Sequence, residues 1–299
     1  MRALERSPVM YDALLAEANE ELTMRATNQH YWRDSTLPFI ELRSTYRSLQ
    51  SYKPHFHPQL SFGAVIAGKT RANCRGRELL LQQGDLVLIP SYVVHSCNPI
   101  DRQPRSYHML YLDQAWCLAN ISALHGRSLA DVCSSGIVIR DSGLFARYLE
   151  LVASLADLCA TEASSKSQRL LSDAVDTICP AATLPQSQQL GERIKQVLLD
   201  NVESPPTLDE LADAFGCRKE TLIRVFRRAF HTTPHAFVNS ARIERAKQRL
   251  KMGEKIAHVA ADLGFSDQAQ LHRTFVSYTA STPGQYRRAR PAARVNFRQ

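Results

Sequence analysis

No stretch of this 299-residue chain approaches the ~20 consecutive apolar residues a membrane-spanning helix requires, so no membrane association is expected. The first residues lack the apolar core of a secretory signal, and Tyr11–Thr23 is predicted to be an amphipathic helix instead. A disulfide framework is also missing. The seven cysteines (Cys74, Cys97, Cys117, Cys133, Cys159, Cys179 and Cys217) are scattered and odd in number, with no CxxC pair. That pattern fits a reducing cytoplasm with ordinary buried thiols. Residues 1–187 carry no charge excess, with 18 Lys+Arg against 18 Asp+Glu. Residues 188–299 hold 19 against 11, so the whole formal surplus of +8 lies there. A surplus confined to one segment suits contact with phosphates.

That basic segment contains a repeat. Leu-Ala-Asp-Ala-Phe-Gly over 211–216 is followed by Leu222, Phe226, Thr233-Pro234 and Phe237. Val-Ala-Ala-Asp-Leu-Gly over 259–264 is followed by Leu271, Phe275, Thr282-Pro283 and Tyr286. The offset is 48 residues up to the glycines and 49 afterwards, which places one extra residue in the second turn. Such a repeat is one supersecondary unit used twice. Thr207 to Glu210 has capping-box spacing, and Gly216 and Gly264 stand where a left-handed residue ends a helix at low cost. Leu222, Val225 and Phe226 mark the buried stripe of the next helix, with Arg218, Thr221, Arg224, Arg227 and Arg228 on its exposed face. In the second unit Ile256, Val259, Ala260 and Leu263 are expected inside, then Leu271, Phe275 and Tyr278, with Gln268, His272 and Arg273 outside. Thr233 and Thr282 cap helices that begin on proline, and one long helix from Pro234 joins the units. The pattern is a tandem helix-turn-helix, whose second helices enter the major groove of DNA.

The stretch Ala257–Phe275, ending in Thr282-Pro-Gly-Gln-Tyr-Arg287, closely resembles the signature of AraC/XylS-type transcription regulators. The resemblance covers roughly residues 190–289. It implies promoter DNA as partner, with base contacts from Gln268, Ala269, His272 and Arg273. From residue chemistry, Arg224 suits guanine and Glu220 either accepts from cytosine or balances the arginines. Ile223 either meets a thymine methyl or packs on the connecting helix. Arg218, Lys219, Arg227 and Arg228 suit phosphates, which set register.

The front half reads differently. Residues 36–112 hold short apolar runs, at Phe39–Thr45, Leu60–Ile66, Glu78–Leu81, Leu86–Ile89 and Tyr107–Leu112, punctuated by Gly68, Gly76 and Gly84. They predict a small antiparallel barrel or sandwich. His55-Phe-His57, then Gly84-Asp-Leu-Val-Leu-Ile-Pro90 leading to Tyr92, His95 and Asn98, resemble the two halves of the cupin motif. In AraC-type proteins such a barrel binds a small effector. Three readings of His55, His57 and His95 stay open. They hold a metal as in catalytic cupins, although Gln59 and its neighbours supply no carboxylate at the expected spacing. They hydrogen-bond an organic effector, or they are structural. The effector reading is adopted, with no metal and no cofactor, and with Arg43, Tyr107 and His108 as further lining residues. A buried Arg43 would favour an anionic effector.

Helices are expected at Asp113–Leu124, along Leu144, Tyr148, Leu151, Leu155 and Leu158, and along Leu170, Leu171, Val175 and Ile178. The family resemblance assigns Leu144–Leu158 to a homodimer interface. Pro180 to Gln189 reads as a linker. The expectation is an α+β chain: a cupin-like effector and dimerisation domain over 1–180, a linker over 181–190, and an all-α DNA-binding domain over 191–299. It would act as an effector-responsive activator that contacts RNA polymerase rather than as an enzyme. The alternative is a metal-dependent cupin enzyme with a DNA-binding tail.

Overall fold

The computed structural model describes residues 29–125, 137–155, 157–178 and 189–288. The expected N-terminal helix and most of the expected linker lie outside them. Nine strands come first: β1 (Gln29–Arg33), β2 (Ile40–Ser48), β3 (Leu60–Ala67), β4 (Lys69–Cys74), β5 (Arg77–Gln82), β6 (Leu86–Ile89), β7 (His95–Pro99), β8 (Arg105–Leu112) and β9 (Ile137–Ile139). Helix α1 (Gln114–His125) precedes β9, and α2 (Ser142–Ser154) and α3 (Ala160–Ile178) follow it. The strands form two antiparallel sheets, in the orders β1-β2-β8-β3-β6-β9 and β5-β4-β7. Among the described residues this is an open two-sheet arrangement, and no closed barrel is present.

The pleat sorts the side chains. On the outer face of the large sheet, Leu42, Phe62, Leu86, Leu88 and Leu110 build a core with Leu144, Tyr148, Leu151, Leu155, Leu170, Leu171 and Val175. Tyr148 donates from its hydroxyl to the Phe62 carbonyl over 2.9 Å. The apolar stripe expected to pair two subunits is therefore spent covering the sheet. A sheet face with no helix over it would leave these leucines in water, so burial within one chain takes precedence. On the inner face Val65, Val87, Ile89, Met109 and Tyr111 meet Ala72, Cys74 and Leu81 of the small sheet. Strands β2, β3 and β8 are buried on both faces, which is why they read as continuous apolar runs rather than as alternation.

The second half is helical: α4 (Gln189–Asp200), α5 (Leu208–Ala214), α6 (Lys219–Phe230), α7 (Pro234–Lys251), α8 (Ile256–Asp262), α9 (Gln268–Thr279) and α10 (Pro283–Arg287). The repeat is realised as α5–α6 and α8–α9. The first turn has four residues and the second has five, which accounts for the shift of the offset from 48 to 49. Thr207 and Glu210 form the capping box, and Thr233 and Thr282 cap α7 and α10. Gly216 and Gly264 are left-handed, at φ +61° and +71°. The first unit packs around Leu222, Phe226, Phe230 and Phe237, the second around Val259, Leu271, Phe275 and Tyr286. Helix α7 contributes to both cores, so it holds the two units in one frame.

Candidate DNA-binding surface and effector cavity

Arginines on α7 reinforce that frame. Arg242 donates to the carbonyls of Val202, Glu203 and Gly264. Arg245 binds Glu203 and the Leu199 carbonyl, and Arg249 binds Glu254 and Asp262. These cations stitch the helices together, so only part of the basic surplus faces solvent. Arg218, Arg224, Arg227 and Arg228 on and before α6, and Arg273 on α9, are exposed and form no salt bridge among the described residues. Glu220, Gln268, Ala269 and His272 are exposed too, and Thr221 is half-buried. Lys219 is tied to Asp209 at 2.5 Å. Ile223 departs from the exposed set. It is half-buried and lines a cavity together with Leu208, Pro234 and Val238.

In the other half, Arg43, His55, His57, His95, Tyr107 and His108 line one cavity between the sheets. His55 and His95 bridge antiparallel through their backbones, which brings the histidine-rich loop before β3 onto the start of β7. One ring nitrogen from each of His55, His57 and His95 lies within 4.8 Å of the others. Each Nδ1 is engaged: with the Lys53 carbonyl at 2.7 Å, with Glu244 Oε1 at 2.9 Å and with the Val93 carbonyl at 2.8 Å, respectively. Burial pushes all three imidazoles down, His95 to about 4, so they are neutral at pH 7.

Arg43 is buried among the rings of Tyr52, Tyr107 and Tyr111, its guanidinium carbon 5.4, 5.4 and 5.6 Å from their centroids. Its Nε has no hydrogen-bond partner, and no carboxylate pairs with it among the described residues. Arg105 Nε is likewise unpartnered, but its other nitrogens are held by the carbonyls of Ser48, Gln50 and Cys97. The cavity leaves about 30 Å³ free, room for roughly one water. Sequence reasoning missed Glu244. It sits on α7, in the other half of the chain, and binds both His57 and Lys247.

A model of the helix-turn-helix domain matches residues 211–289, and one of the AraC-like ligand-binding domain matches residues 38–175. The chain is an AraC-type transcription regulator. It is 25% identical over 234 residues to the HTH-type transcriptional regulator YbfI of Bacillus subtilis, covering 75% of this chain and 82% of that one. It is 26% identical over 243 residues to the transcriptional activator NphR of a Rhodococcus species, covering 75% and 68%. An apo variant of ToxT from Vibrio cholerae shares the fold, at a TM-score of 0.59 and 13% identity over 86% of this chain and 98% of that one. This AraC-type regulator therefore places an effector-binding domain before its DNA-binding domain. No helix among its described residues is long and apolar enough to cross a membrane.

Proposed function

We propose that the regulator reads promoter DNA with α6 and α9 and is switched by a small effector in the histidine-lined cavity. Arg224 and Arg273 are the base-reading arginines, supported by Gln268, Ala269 and His272, with Glu220 and Thr221 at the margin. Arg218, Arg227 and Arg228 bind phosphates. Ile223 acts by positioning α6. Arg43, His55, His57, His95 and Tyr107 form the effector site. The output is activation through contact with RNA polymerase, and the working form is a homodimer built on a surface other than the α2 stripe.

One observation carries the switching part: a residue lining the cavity, His57, is bonded directly to Glu244 on the helix that frames both DNA-reading units. An effector that alters the cavity thereby acts on the relative placement of the two domains. It must favour one arrangement to switch anything. Mobility-shift titrations on the regulator's own promoter, with and without candidate effectors, test the reading. A specific complex whose affinity changes with an effector is expected. Equal binding to unrelated DNA under all conditions would contradict it.

A further inference from the structure

We propose that a divalent transition-metal ion, held by the Nε2 atoms of His55, His57 and His95, is the effector, and that Glu244 transmits its presence to the DNA-binding domain. This deepens the effector reading of the same cavity and rests on it.

A carbonyl or a carboxylate can only accept, so the contacts to Lys53, Val93 and Glu244 place a hydrogen on each Nδ1. Each Nε2 is left as the ring's possible ligand atom, and none makes a hydrogen bond among the described residues. Three such nitrogens gathered so closely on one small cavity have the arrangement of a metal site. Histidine ligands of metals are held in this way, with the second ring nitrogen donating to a carbonyl or carboxylate. Three imidazoles suit zinc, copper, iron or nickel, and three protein ligands leave one position open.

Size points the same way. About 30 Å³ accepts an ion and a small co-ligand but not an organic molecule of ordinary effector size without rearrangement. The surrounding charge is mixed. Arg43 and Lys247 oppose a cation, and Glu244 offsets one unit. Arg105 lines the cavity as well, so an anion on the open position would lessen the remaining positive excess, and Arg43, buried with an unpartnered Nε, is available to hold it. An organic anion alone would explain Arg43 but not three ring nitrogens gathered this closely.

Glu244 makes the site a sensor. A metal on His57 Nε2 polarises the Nδ1–H bond and strengthens its hydrogen bond to Glu244, which draws α7 onto the ligand-binding domain. Linkage is reciprocal, so weakening that acceptor must weaken metal binding. Loss of such a partner typically costs about 10–100-fold in metal affinity.

The test uses the full chain, stripped with a chelator and titrated with Zn²⁺, and with Co²⁺ as a spectroscopic probe. One ion per chain is expected, with a Co²⁺ d–d spectrum and no thiolate charge-transfer band. Glu244→Gln should keep that spectrum and bind about 10-fold more weakly, and His95→Ala should lose the ion. Binding well below one ion per chain, or full binding by a folded His95→Ala, overturns the site. Unchanged affinity in Glu244→Gln overturns the coupling. If circular dichroism shows His95→Ala unfolded, the wild-type and Glu244→Gln spectra decide. Stabilisation of the stripped chain by small carboxylic acids, without metal binding, would assign the cavity to an organic anion. Binding to duplex DNA, measured in parallel, fails only if the transcription-regulator reading itself fails.

Discussion

His57 Nδ1 donates to Glu244 Oε1 over 2.9 Å, and this bond joins the histidine-lined cavity to the middle of α7. The contacts around it are of the same kind. Phe56 stacks on Phe237 with ring centroids 4.5 Å apart, and its amide donates to Ser240 Oγ. The Lys53 amide donates to the Ser277 carbonyl on α9. Tyr31 meets Tyr286 edge-on, and Glu41 gathers Arg33, Lys251 and the Tyr286 hydroxyl. The two domains thus share a packed, partly ionic boundary, and the helix that crosses it is the one that spaces the DNA-reading units.

A boundary of this kind should make the domains unfold together. Calorimetry of the full chain is expected to show one transition. Phe56→Ala removes a fully buried ring and should cost roughly 3–5 kcal/mol. It should also split the transition in two. Two transitions already present in the wild type would show that the docking is weak.

The boundary should also respond to acid. Burial alone would raise the Glu41 carboxyl, but Lys251, Arg33 and Lys247 outweigh it and hold the group at about 2, against 4.5 for a free glutamate. A depressed carboxylate stabilises the fold above its unfolded value, and the contribution disappears as the pH falls from about 4.5 towards 2. Taken alone it is worth about 3 kcal/mol at neutral pH. His108 adds to the trend, because burial pushes it from 6.5 down to about 4. The unfolded chain then binds the extra proton, so stability also falls between those values. Denaturant melts from pH 7 to pH 3 should show a progressive loss, and Glu41→Gln should be destabilised at pH 7 and flatter below pH 4.5.

The two turn glycines should differ. Both are left-handed, which costs a non-glycine residue roughly 1–2 kcal/mol. A Cβ at Gly216 would meet nothing, but one at Gly264 would lie 2.5 Å from the Glu203 carbonyl oxygen and 2.7 Å from Arg242 Nη2. Gly216→Ala should therefore stay within that range, and Gly264→Ala should lose clearly more and disturb the Arg242 brace. Equal melting shifts would refute the distinction.

The proposed roles of the arginines predict different losses on specific and random DNA. Arg224→Ala and Arg273→Ala should each cost roughly 1–3 kcal/mol at the specific site while relaxing base preference locally. Arg228→Ala should weaken specific and random DNA alike and reduce the salt dependence. Equal losses on both DNAs for Arg224→Ala would make it a phosphate contact.

The helix-turn-helix half was legible in the sequence because its rules are local. Caps, left-handed glycines, N1 prolines and a 3.6-residue stripe specify each helix from its own residues, down to the extra residue in the second turn. The front half was legible in outline. The expected runs fall on β2, β3, β5, β6 and β8, but β1, β4, β7 and β9 were missed: β1 and β9 are short and lie outside the punctuated stretch 36–112, His95–Pro99 has little β-propensity, and Lys69–Cys74 alternates small and polar residues. The five effector candidates line one cavity: Arg43 and Tyr107 were placed by strand phase, and the three histidines by the resemblance to the cupin motif. The Leu144–Leu158 stripe could not reveal what it covers, because an apolar face fits a sheet of its own chain as well as a partner. Glu244 was invisible for the same physical reason. Its partner His57 is 187 residues away, and only the docking of the domains brings the two together.

The account is tested most directly by a hydroxyl-radical footprint of the full chain on its own promoter. Two recognition helices held in one frame predict two protected major-groove segments on one side of the duplex, about one helical turn or ~10 bp apart. Arg224→Ala and Arg273→Ala should each erase one segment. A single protected segment that survives both substitutions, or protection spread without sequence preference, would contradict it.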